Sequence, residues 1–159
     1  MKRILVLASA VVLSLGASSV VQAQGDPFAG TWKLNVAKSK FTGYQPPKSY
    51  TRTVVAQGDS ETVTYDGVAS DGSPISYSYK TNLDGKDSPY SGTGAFGADS
   101  VALKRVDANT ATGVAKTAGK TLYTVRLVVS KDGKVLTMTG KGANAQGQPI
   151  SYTSVFDKQ

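Results

Sequence analysis

The chain has no cysteine, no histidine and a single glutamate, Glu61. Those absences remove the Ser-His-Asp triad, the thiol nucleophile and any His/Cys zinc site. They also remove disulfides, which a chain of 159 residues does not need in order to bury a core. Basic runs are short as well. Eighteen Lys and Arg face 11 acidic residues, but beyond the first few positions the longest unbroken basic stretch is Lys104-Arg105. A nucleic-acid reader usually carries a basic stripe with stacking aromatics, so no specific nucleic-acid partner is expected. No apolar run reaches the roughly 20 residues of a membrane-spanning helix, and no membrane anchor is expected.

The first apolar run has a different reading. Lys2 and Arg3 precede a stretch from Ile4 to Leu15 that only Ser9 and Ser14 interrupt, and Val21-Gln22-Ala23 gives a small-x-small pattern. This is the layout of a secretory signal peptide over residues 1–23, cut after Ala23. The expected location is therefore periplasmic or secreted, with residues 24–159 as one domain. No cysteine follows the run, which excludes a lipid-modified amino terminus.

Those 136 residues show period-two alternation instead of helical periodicity. Tyr123, Val125, Leu127 and Val129 share one parity, as do Ile75, Tyr77 and Tyr79, and Ile150, Tyr152 and Phe156. Turn pairs such as Gly58-Asp59, Asp71-Gly72 and Asp132-Gly133 separate the runs, where tight hairpins demand positive φ. The pattern predicts strands near 29–36, 49–57, 61–68, 74–81, 99–106, 110–118, 121–130, 134–141 and 149–157. Such a chain is an all-β antiparallel meander, closed as a barrel or stacked as a sandwich. Segments 37–48 and 84–98 read as loops, the second as a lid or a mobile connection.

An internal repeat crosses this pattern. Arg52–Tyr77 aligns with Arg126–Tyr152 when one residue is inserted at the Asp132-Gly133 turn, with 12 of 26 positions identical. The repeat is either a twice-used strand–turn unit or a pair of equivalent ligand-facing surfaces. Turn chemistry does not account for Arg52 and Arg126, which become candidates for meeting an anionic group, with Tyr77 and Tyr152 beside them. An outward, solvated position is the competing reading for both arginines.

No catalytic or cofactor motif survives inspection. Gly92 to Gly97 spells G-x-G-x-x-G but leads into a strand pattern, whereas a dinucleotide site needs a following helix. Gly113 to Thr121 resembles a phosphate-binding loop with one residue too many and no following helix. Asp59 and Glu61 flank a turn, where carboxylates are ordinarily solvated. No cofactor, metal or catalytic residue is assigned.

Phe28-Ala29-Gly30-Thr31-Trp32-Lys33-Leu34 resembles the opening of the calycins, the superfamily of lipocalins and fatty-acid-binding proteins. In that resemblance the G-x-W signature opens the first strand. Gly30 and Trp32 would then plug one end of the barrel. Ser154-Val155-Phe156-Asp157-Lys158 is similar to a fatty-acid-binding protein's last strand, and the whole chain resembles small secreted bacterial lipocalin-like proteins. The resemblance implies a lipocalin-like barrel of about nine or ten strands holding a small apolar or amphipathic ligand. It lacks the family's Arg-x-Tyr carboxylate anchor, because Ser154 and Phe156 occupy those positions. It also lacks a helix-turn-helix lid, for which the segment holding Pro46-Pro47 is too short. Two other functions fit the same shape: an envelope structural or interaction protein with a filled barrel, and a calycin-shaped enzyme.

Overall fold

The alternation folds as it reads. In the computed structural model, which describes residues 25–92 and 94–159, Tyr123, Val125, Leu127 and Val129 are all buried at 2–8% exposure while their neighbours face outward. The expected signal segment and its cut after Ala23 lie outside the described residues. Twelve strands form among the described residues: β1 (Gly30–Leu34), β2 (Lys40–Thr42), β3 (Ser49–Gln57), β4 (Ser60–Val68), β5 (Pro74–Thr81), β6 (Asp84–Pro89), β7 (Ser91–Gly92), β8 (Ser100–Asp107), β9 (Thr110–Thr117), β10 (Lys120–Val129), β11 (Val135–Ala143) and β12 (Pro149–Lys158).

All pair antiparallel in one sheet of order β6-β8-β9-β10-β11-β12-β1-β3-β4-β5-β7, with β2 laid against β12. The first and last long strands are neighbours, Trp32 opposite Lys158 and Leu34 opposite Phe156, so the sheet curls into a nearly closed barrel. One seam stays open, since β6 pairs with β8 and β7 with β5. The count therefore exceeds the nine or ten strands expected. The additions are β2, β6 and β7, which lie in the segments read as loops. In β6 only Ser88 is buried, so this polar edge strand carries no alternation to detect.

The internal repeat maps onto β3-β4-β5 and β10-β11-β12. Its second and third strands keep the same faces in both copies: Val63 and Met138 point inward, as do Tyr77 and Tyr152. Its first strand does not. In β3, Gln57 pairs with Ser60 across a two-residue turn, and Arg52 pairs with Tyr65. With Asp132 inserted, Val129 pairs with Leu136 and Arg126 with Thr139, one position out of step. A one-residue slip turns a strand over. Arg52 and Val54 accordingly lie inside, whereas Arg126 is exposed and Val129 is buried in its place.

Candidate functional site

The barrel has a sealed end and a hollow one. At the sealed end Trp32 is fully buried, and its indole Nε1 donates to the Phe28 carbonyl oxygen at 2.8 Å. The Lys158 ammonium stands 4.9 Å from the Trp32 ring centroid. Gly30, at φ 116°, makes room for Lys158, since a Cβ there would come within 2.9 Å of the lysine Cε. Arg105 lies over the Phe28 ring at 5.0 Å. Its Nη2 donates to Glu61 Oε1 at 2.9 Å and also pairs with Asp26.

Arg52 belongs to this end too. It is 1% exposed, opposite Trp32 in register, and its Nε donates to the Tyr65 hydroxyl at 3.1 Å. Its Nη1 has no partner among the described residues. Burial opposes its charge, but Tyr65, Tyr79 and Glu61 outweigh burial and hold it protonated.

The other end encloses a cavity of about 570 Å³. Every one of the eight tyrosines in the chain lines it. Tyr50, Tyr65, Tyr77 and Tyr79 come from β3, β4 and β5, where Tyr65 stacks on Tyr50 at 5.1 Å and on Tyr77 at 4.8 Å. Tyr50 and Tyr77 touch through their hydroxyls. Tyr123 and Tyr152 come from β10 and β12, Tyr44 and Tyr90 from connections. Burial drives the hydroxyls of Tyr44, Tyr50, Tyr77, Tyr79, Tyr90, Tyr123 and Tyr152 above the ordinary phenol range, so they stay neutral. Among the described residues, no Asp, Glu, Lys or Arg lines the cavity.

The repeat explains why the space exists. Tyr65 of the first copy corresponds to Gly140 of the second, and both stand opposite the conserved tyrosine of their unit, Tyr77 and Tyr152. Without a side chain at Gly140, the Tyr152 ring lies across that glycine, where an added Cβ would come within 2.3 Å of its Cζ. Ring fills ring in one copy, and ring lies on backbone in the other.

Residues 94–97 of the second predicted loop fold against the hollow end. Phe96 packs edge-on to Tyr44 at 4.7 Å and to Tyr123 at 5.5 Å. Its carbonyl accepts from the Ala145 amide at 2.9 Å, which ties the loop to the β11–β12 turn. Phe96 holds a φ of 59°, uncommon for a side chain of this size.

The candidate residues thus separate. Tyr77 and Tyr152 line the cavity, Arg52 lies outside its lining among the sealing residues with Trp32, and Arg126 is on the outer surface. Of the two positions matching the carboxylate anchor, Ser154 lines the cavity and Phe156 is fully buried. Tyr44, Tyr90 and Phe96 sit in connections without alternation, so parity in the sequence does not single them out as ligand contacts. The presence of aromatics in otherwise small, polar loops was the one available signal.

No protein-family model matches the chain, and no curated protein matches it. Among solved structures, zebrafish ileal bile acid-binding protein in complex with cholic acid is similar, with a TM-score of 0.50 at 17% identity. That match covers 84% of this chain and 99% of the other. Lobster apocrustacyanin A1 gives 0.44 at 14% identity, covering 85% of this chain and 62% of its own. A redesigned β-barrel bound to DFHBI gives 0.43 at 12%, over 83% and 95%. The first of these shows the fold: a nearly closed antiparallel β-barrel of the kind seen in the bile acid-binding protein.

Proposed function

We propose that this is an exported barrel protein that holds one small, partly apolar molecule among its tyrosines. The observation that carries the reading is the cavity of about 570 Å³, since a small barrel can be filled by its own side chains and this one is not. That volume lies within the roughly 300–1,000 Å³ of small-molecule sites. Tyr77 and Tyr152 are the proposed wall contacts, each offering an apolar ring and a polar tip. Export rests on the signal-like segment 1–23, with release into the periplasm or beyond. Native mass spectrometry of the protein purified from its own envelope or culture fluid tests both parts. A mature chain beginning at Gln24 and a co-purifying small molecule are expected. An uncut chain would remove the export reading, and repeated absence of any bound molecule would favour a structural role.

A further inference from the structure

We propose that the cavity selects an uncharged ring compound bearing hydrogen-bonding oxygens and discriminates against carboxylates. This rests on the binding reading above and specifies what the same site accepts.

The wall sets the charge preference. Among the described residues it has no ionised side chain, and its most abundant polar group is the neutral phenol. The nearest buried cation, Arg52, is withheld from it. Arg52 is not part of the lining, and its Nε is engaged by the Tyr65 hydroxyl, with Nη1 left without a partner among the described residues beside Trp32 at the sealed end. A carboxylate entering this cavity would give up its water without gaining an ion pair, and an unpaired buried charge is strongly disfavoured.

The polar contacts point the same way. The hydroxyls of Tyr152 and Tyr44 make no hydrogen bond among the described residues and, unlike Arg52 Nη1, are not buried orphan atoms, so both stay open to the cavity. Each phenol can donate to a ligand oxygen or accept from a ligand hydroxyl. Neither role requires a formal charge. The shape preference follows from the rings. Tyr152 lies over Gly140 with Phe96 at 5.9 Å and Tyr123 at 6.3 Å, so offset and edge-to-face positions remain for a further ring.

Calorimetric titration of the mature protein near neutral pH with 2-naphthol, 2-naphthoate and 1-decanol tests the inference. The first and second share a ring system and differ in charge; the third is an uncharged chain. 2-Naphthol is expected to bind at least about tenfold more tightly than either of the others. Tyr152→Phe should weaken it by about threefold or more through loss of one hydrogen bond. Arg52→Met should leave the naphthol-to-naphthoate ratio unchanged. Naphthoate binding as tightly as naphthol would overturn the charge preference, and decanol binding as tightly would overturn the ring preference. Both of those results would leave the binding reading standing. If none of the three binds at millimolar concentration, the binding reading falls and this inference falls with it.

Discussion

Raising the pH from about 5 to about 8 should weaken the barrel, and Glu61→Gln should abolish that loss. Glu61 is 4% exposed on β4, opposite Thr81 of β5, with Arg105 of β8 and Asp26 beside it and Arg52 of β3 close enough to act on it. Burial, reinforced by the negative charge of Asp26, pushes its carboxyl from 4.5 up to about 7, against the pull of Arg52 and Arg105. Between those two values the native barrel keeps a proton that the unfolded chain has released. Stability is therefore fullest below the lower value and declines as pH rises through the upper one. The whole gap corresponds to at most about 3 kcal/mol. That is a large part of the roughly 5–15 kcal/mol holding a domain of this size. The missing histidines make the experiment clean, because no imidazole titrates in the same window. Asp71, Asp84, Asp99, Asp132 and Asp157 are held below the usual range by hydrogen bonds from neighbouring and turn residues, so their opposite slope lies at more acidic pH. Urea midpoints across the window for wild type and Glu61→Gln are the assay. A flat or rising wild-type curve, or an equal fall in the variant, would refute the reasoning.

Trp32→Ala should cost about 3–5 kcal/mol in urea unfolding, because it empties the sealed end and strands the Phe28 carbonyl. The repeat arginines should behave oppositely: Arg52→Ala should cost about 3–5 kcal/mol by emptying a fully buried site and removing the Nε donor from the Tyr65 hydroxyl, while Glu61 keeps Arg105. Arg126→Ala, on the outer face, should change stability by less than about 0.5 kcal/mol. Gly140→Ala should push the Tyr152 ring into the cavity and weaken 2-naphthol at least about tenfold in calorimetry. Its stability cost should stay within about 1–3 kcal/mol, as for other overpacked cores.

Nine strands were legible because their inner faces alternate, and each of the nine lies within two residues of its expected bounds. Alternation is a signature of one-sided burial, so it could not reveal β6, whose two faces are both wet apart from Ser88. The tyrosines of the long strands followed from parity, but those of the connections did not. The arginine pair shows a sharper limit. Arg52 and Arg126 occupy equivalent places in the repeat, and their different fates depend on pairing across a turn. The inserted Asp132 was visible in the alignment. Its effect on facing required knowing that the copies hold their second strands in common and let the first one slip.

That slip bears on which length changes this barrel can survive. Surface turns usually absorb insertions and deletions with little effect. Here the arithmetic is even or odd. Two residues added to a hairpin return every upstream side chain to its side of the sheet, whereas one residue exchanges the inner and outer sets along the whole strand. An in-frame change of a single codon in the β3–β4 turn would then do more damage than a pair, by carrying Arg52 and Val54 toward solvent and Val55 toward the core. Variation in turn length around this barrel should come in twos wherever both flanking strands keep their register.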